Sequence, residues 1–146
     1  MNSQLSIAYV GDAPAGVLAC RIDGWPLPPE MMPDHQLTAY RLPALQREGG
    51  HCLYIMTLGV LAPFRSKGLG SLLLGYALQW NRHTALASGE AALWVHTVVL
   101  HVHTENQRAR RFYQRHGFVI HANVVERYYA RLPGEGHAYF LYHAAQ

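Results

Sequence analysis

Leu53-Tyr54-Ile55-Met56-Thr57-Leu58-Gly59-Val60-Leu61-Ala62-Pro63-Phe64-Arg65-Ser66-Lys67-Gly68-Leu69-Gly70-Ser71 decides how the rest of the chain is read. Its first half, within the apolar run Cys52 to Leu61, is too short and too well bounded to be anything but a central strand. Ala62-Pro63 ends that run, and Arg65-x-x-Gly68-x-Gly70 leads into a helical pattern in which Leu69, Leu72, Leu73, Tyr76 and Trp80 recur at spacings of three and four. The amides of a helix's first turn have no partner inside the helix. They lie at the positive end of its dipole, and glycines let an anion approach the main chain, so strand, glycine loop and helix together form an anion cradle. Two phosphate motifs are excluded by reading: no GxxxxGK[ST] string is present, and position 73, where a dinucleotide fingerprint needs glycine, is Leu73.

Working outward, Val95 to His103 reads as a second buried strand. Asn106 caps a short helix with Ala109, Phe112 and Tyr113 inward and Arg108, Arg111 and Arg115 outward, and Gly117 closes it. Upstream, Leu5 to Val10 alternates, Gly11 to Gly16 is a hairpin signal, and Val17 to Ile22 returns as a strand. Downstream, Phe118 to Val124, Tyr128 to Leu132 and Ala138 to Tyr142 supply the final strands. Residues 24–50 differ in character. They hold five of the eight prolines and end in Gly49-Gly50, which predicts a long insertion loop with one short helix around Leu37 to Gln46. No repeat or linker divides the chain, so 1–146 reads as one α+β domain.

Composition narrows the function classes. With 146 residues, 50% apolar and 14% charged, the chain is neither disordered nor short of a core. No apolar run reaches the roughly 20 residues of a membrane span, and Met1-Asn2-Ser3-Gln4 lacks the basic start of a signal peptide. The formal charge of +3 suits an anionic small ligand and is too weak for a nucleic-acid footprint. Cys20 and Cys52 read as reduced packing residues of an intracellular protein.

On alternating strands Tyr54 shares a face with Met56 and Leu58, and His101 shares one with Val99 and His103. If the two strands are neighbours, Tyr54 and His101 face one cleft. Taken singly, each residue has a plainer reading. His101 reads also as a satisfied core histidine, His101-x-His103 as half of a metal site for which no third ligand is spaced, Tyr54 and Tyr113 as packing residues, and the arginine face as simply solvated.

Taken together, residues 53–70 resemble the acyl-CoA-binding motif of the GNAT acetyltransferases. Leu100-His101-Val102-His103-Thr104-Glu105-Asn106, with Ala109 and Phe112 to Phe118, resembles the second half of the same core, and Tyr128-Tyr129 also has a counterpart there. Within GNAT enzymes the likeness is greatest to the NatE-type catalytic subunit, with NatF-type enzymes as near relatives. The resemblance implies a mixed, mostly antiparallel sheet flanked by helices, with acetyl-CoA as cosubstrate. It implies that the backbone of Leu58 and Val60 meets the pantetheine and that Arg65, Ser66, Gly68, Gly70 and Ser71 cradle the pyrophosphate. Asn106 and Tyr113 would then lie beside the thioester, with Tyr113 donating a proton to the leaving thiolate. Tyr54 and His101 would deprotonate the substrate amine through a water, and Met56, Tyr128 and Tyr129 would line a peptide site.

The activity so implied is cytoplasmic acetylation of protein N-termini, Met followed by a hydrophobic residue, by direct attack in a ternary complex. Other N-terminal acetyltransferase subunits and the ribosome are the partners it suggests. The alternatives are a GNAT enzyme acting on lysine or another amine, and an acyl-CoA-binding pseudoenzyme serving as a scaffold subunit. Two departures stand out. The family begins with a strand and two helices ahead of the first hairpin, which this chain enters almost at once, and residues 24–50 are much longer than the family's connection.

Overall fold

Gly11 and Asp12 close the first hairpin, joining β1 (Ser3–Val10) to β2 (Ala13–Gly24) in antiparallel register. The computed structural model describes residues 3–24, 27–32, 51–87, 95–129 and 136–144, with the backbone alone at 81–87, 95, 96, 122 and 144. The other elements are β3 (His51–Val60), α1 (Leu69–Ala87), β4 (Val95–His103), α2 (Gln107–Arg115), β5 (Val119–Val125) and β6 (Ala138–Ala144), with short 3-10 turns at Pro29–Met31 and Ala62–Phe64. Among the described residues the strands form one six-stranded sheet in the order β1-β2-β3-β4-β6-β5. Only β3 and β4 run parallel, because α1 crosses between them; every other pairing is antiparallel. This is the mixed, mostly antiparallel α+β architecture expected.

Strand alternation builds a core on each face of the sheet. Leu18, Cys20, Leu53, Ile55, Val98, Leu100, Val102 and Leu141 pack with Leu73, Leu74 and Ala77 of α1 and Tyr113 of α2 on one face. Cys52, Tyr54, Val99, Val125 and Phe140 pack on the other, where Leu27 and Met32 cover them. Both cysteines are free, buried thiols, and burial pushes Cys20 up to about 11 and Cys52 up to about 12.

Two readings of the sequence are corrected. Leu72 and Tyr76 of α1 face solvent, at 70% and 49% exposure, while Leu74 and Ala77 are fully buried. The face follows Leu73, Leu74 and Ala77, and counting only bulky side chains passed over the alanine that lets the helix approach the sheet. Tyr128 and Tyr129 lie in a turn rather than a strand, because Arg127 adopts φ +56° and the Tyr129 amide donates to the Gly136 carbonyl at 2.7 Å. Residues 130–132 and the helix expected at 37–46 lie outside the described residues.

Candidate active site

Among the described residues the β3–β4 register runs only from His51↔Val95 to Tyr54↔Val99. Beyond that point β3 stays paired with β2 and β4 with β6. The sheet therefore opens between Ile55–Leu58 and Leu100–His103, and a cleft of about 290 Å³ occupies the opening. Ile55 to Leu58 line one side, Leu100 to His103 the other, and Asn106, Ala109, Tyr113 and Tyr129 complete it. These residues come from both faces of the sheet, so the cleft connects the helix-covered face with the face of Tyr54 and His101.

At the fork the Tyr54 hydroxyl lies 2.7 Å from His101 Nδ1 and 2.5 Å from the Tyr128 hydroxyl. The other ring nitrogen, Nε2, is 2.7 Å from the Met31 carbonyl. Donor counting fixes every proton in a neutral imidazole. A carbonyl only accepts, so Nε2 carries the hydrogen; Nδ1 must then accept from Tyr54, whose oxygen accepts from Tyr128. The Tyr128 ring also stacks on His101, with centroids 3.9 Å apart and planes 12° from parallel, and Phe140 meets the imidazole edge-on. Tyr129 donates to the His101 carbonyl at 3.3 Å.

Burial pulls His101 down to about 4, a shift its bond to the Met31 carbonyl only partly offsets. Burial, reinforced by the bond with Tyr128, holds the Tyr54 phenol well above its usual range, and Tyr129 is pushed up to about 12, chiefly by burial. All three are neutral at pH 7. The neutral imidazole has a consequence for stability. The unfolded chain binds a proton here near pH 6.5 and the folded one only near 4, so His101 lowers stability as pH falls through that window, by up to about 3 kcal/mol. Denaturant melts of wild type and His101→Gln at pH 7.5, 6, 5 and 4.5 should diverge, the wild type losing more. Parallel curves would mean that the imidazole is not held neutral.

Tyr113 and Asn106 approach the cleft from α2. Tyr113 is buried against Phe112 and Phe118, and burial raises its phenol, which keeps it protonated. The Asn106 side-chain oxygen caps α2 by accepting from the Ala109 amide at 3.1 Å. At α1 the helical ladder opens with Leu72 N–H donating to the Gly68 carbonyl, which leaves the preceding amides directed out of the helix start. Ser66 and Gly68 both take left-handed backbone, at φ +63° and +81°, and a Cβ built on Gly68 meets nothing within 4 Å. The loop ahead of α1 is thus open at Gly68. Arg65 Nε donates to the Val60 carbonyl at 2.9 Å, and Ser71 Oγ lies 3.0 Å from His116 Nε2, which ties the cradle to the end of α2. Val60 is half-buried and does not line the cleft; Leu58 does.

Three participants escaped the sequence reading. Met31 reaches His101 with a main-chain carbonyl, for which no side-chain signal exists. The Arg21 guanidinium lies 5.1 Å over the Tyr54 ring and 3.7 Å from Met56 Sδ, with its Nε bonded to Asp23. Gly136, at φ +66°, presses against the Tyr129 backbone so closely that a Cβ would overlap it. Among the described residues no cluster of three metal-ligating side chains forms around His101 and His103.

Residues 2–118 match the Acetyltransferase (GNAT) family, and the chain belongs to that family. It is 30% identical over 132 residues to N-alpha-acetyltransferase 50 of Danio rerio, covering 90% of this chain and 60% of that protein. To N-alpha-acetyltransferase 60 of Drosophila melanogaster it is 37% identical over 89 residues, 61% of this chain and 29% of that one. Its fold is similar to that of Arabidopsis thaliana Naa50 in complex with the bisubstrate analogue CoA-Ac-MVNAL, with a TM-score of 0.63, 28% identity, and coverage of 96% of this chain and 72% of that chain. The chain thus spans less than two thirds of these curated relatives' own length.

Proposed function

We propose that this chain, as one catalytic domain, transfers the acetyl group of acetyl-CoA to the free α-amino group of protein N-termini. The observation that carries the reading is the Tyr128–Tyr54–His101 hydrogen-bond chain, which stands where the sheet opens and ends at His101, a residue that lines the same cleft as Tyr113. A scaffold that only bound acyl-CoA would have no use for such a chain. Its fit to the cosubstrate rests on the open cradle at Gly68 and on the exposed edge of β3 beside it. Acetyl-CoA, once bound, supplies an acyl thioester; this chain's residues hold the amine, take its proton and stabilise the departing thiolate.

The energetics set the order of events. Moving a proton from an α-ammonium of pKa near 7.7–8.0 to an imidazole near 4 is uphill by about 5 kcal/mol, so the site takes the amine neutral. The proton leaves only after attack on the acyl carbon has placed positive charge on the nitrogen. It then passes through a water to the hydrogen-bonded chain, in which Tyr128 hands its proton to Tyr54 and Tyr54 hands its own to His101 Nδ1. Tyr113, kept protonated by burial, is placed to stabilise the departing thiolate by donating it a hydrogen bond. A lysine side chain near 10.4 would cost about 4 kcal/mol more to present neutral, which favours an α-amine.

By resemblance, Met56, Tyr128 and Tyr129 line the peptide mouth and take a terminus whose first residue is Met and whose second is hydrophobic; of the three, Met56 and Tyr129 line the cleft. The reading assigns the activity to the cytoplasm, with other N-terminal acetyltransferase subunits and the ribosome as partners; among the described residues no helix is long and apolar enough to cross a membrane. Short peptides incubated with acetyl-CoA and followed by mass spectrometry test it. A Met-Leu terminus should outcompete both an acidic terminus and an internal lysine by at least tenfold in kcat/KM. Preferential lysine acetylation by the complete protein would refute the α-amine reading and leave a GNAT enzyme of different specificity.

A further inference from the structure

The Leu27–Met32 segment belongs to the Pro-rich stretch that reads as longer than the family's connection, yet it does more than cover the sheet. Leu27 and Met32 are buried at 4% and 6% exposure among Cys52, Tyr54, Val99, Val125 and Phe140. Between these two anchors the chain makes a single 3-10 turn, held by Met31 N–H to Pro28 O at 2.9 Å and Met32 N–H to Pro29 O at 3.1 Å. Pro28 and Pro29 preset two backbone φ angles of that turn. The turn directs the Met31 carbonyl at His101 Nε2, 70 residues away in sequence.

We propose that this turn is a positioning element of the active site: the Met31 carbonyl holds His101 with its proton on Nε2, so that Nδ1 is the atom that terminates the tyrosine relay. A carbonyl has no proton to donate, so the opposite tautomer would set two lone pairs against each other at Nε2. It would also leave Nδ1–H facing a Tyr54 oxygen whose own proton then has nowhere to go but back to Tyr128. The tautomer is therefore set from outside the strand that carries the histidine. When Nδ1 receives the relayed proton, the imidazolium keeps its Nε2–H bond to the Met31 carbonyl, and such a charge-assisted bond is stronger than the neutral one. The titratable groups facing the ring are Tyr54 from β3 and Tyr128 and Tyr129 from the turn after β5. Arg21 of β2 stands behind Tyr54, paired with Asp23, and Glu30 lies exposed in the turn itself. None of these groups bonds Nε2, whose partner among the described residues is the Met31 carbonyl.

The inference rests on the proposed use of His101 as proton acceptor, and its test is chosen to stand apart from that reading. Long-range proton–nitrogen NMR on the full chain with labelled histidine reads the ring nitrogens directly at pH 7. Wild type should show His101 protonated at Nε2 and bare at Nδ1. A double variant, Leu27→Ser with Met32→Ser, unseats the turn; its His101 should become a mixture of tautomers and titrate closer to 6.5. Its kcat should fall about tenfold or more, with KM for acetyl-CoA unchanged. The conservative exchange Met32→Leu should restore both the tautomer and the rate. Should the double variant fail to fold, Met32→Ala gives the same reading in milder form. A wild-type His101 protonated at Nδ1, or an unseated turn that leaves the tautomer unchanged, would overturn the proposal. If the wild type shows the Nε2 tautomer and loses it in the variant but transfers no acetyl group to any amine, the positioning role stands and the functional reading falls.

Discussion

Gly68→Glu is expected to abolish acetyl-CoA binding while leaving the chain folded. Gly68 sits at φ +81° at the start of α1, where an L side chain is strained by about 1–2 kcal/mol, and the space its Cβ would enter is open. That open space is where the proposed pyrophosphate site lies, so the new carboxylate puts like charge against the phosphates and cancels the favourable field of the helix start. With acetyl-CoA at a hundred times its Kd, linkage stabilises a binding-competent fold by about 2.7 kcal/mol, which is several degrees in Tm for a domain of this size. Wild type should show that shift and Gly68→Glu none. Gly68→Asn, which tolerates left-handed backbone and adds no charge, should retain part of it. Undiminished acetyl-CoA affinity in Gly68→Glu would remove the cradle from the account.

Tyr54→Phe and His101→Ala should each lower kcat by about 10²-fold or more, the usual contribution of a positioned acid–base group. The hydrogen bonds make a sharper prediction than either rate alone. Among the described residues the hydrogen-bonded path from Tyr128 to His101 runs through the Tyr54 hydroxyl, so removing Tyr54 or His101 interrupts the same path. Groups that act as a unit are non-additive, and the double variant should be no slower than the worse single one. Acetyl-CoA binding should be unaffected in all three. Because Tyr54→Phe leaves a ring nitrogen and a phenol short of a partner, about 1–3 kcal/mol of stability is lost with it, and rates belong well below the melting range. Near-wild-type turnover of both variants at pH 7 would show that bulk water takes the proton. Multiplying effects in the double variant would show two independent roles instead of a relay.

Much of this was legible in residues 52–71 and 95–118, for physical reasons. An apolar run of strand length bounded by Ala62-Pro63, glycines ahead of an apolar helix, and a capping Asn106 with Gly117 closing the helix are local signals, each set by backbone sterics or by alternation. They determined the strand–loop–helix–strand order, and they offered a cradle and, on condition that the two strands are neighbours, one face for Tyr54 and His101. Which face of α1 turned inward was less legible, since Leu72 and Leu74 are chemically identical and only the packed sheet distinguishes them, at 70% and 0% exposure.

Only the tertiary structure decided the rest. The cleft exists because β3 and β4 part after Tyr54↔Val99, and no local pattern records where two parallel strands separate. The turn at Tyr128 depends on Arg127 adopting φ +56° and on a bond from the Tyr129 amide to the Gly136 carbonyl, both held by contacts around them. The tautomer of His101 depends on a main-chain carbonyl 70 positions away, and a carbonyl is the same atom in every residue. Sequence specifies side chains and therefore the chemistry available; where a backbone oxygen meets a ring nitrogen is settled only when distant segments pack.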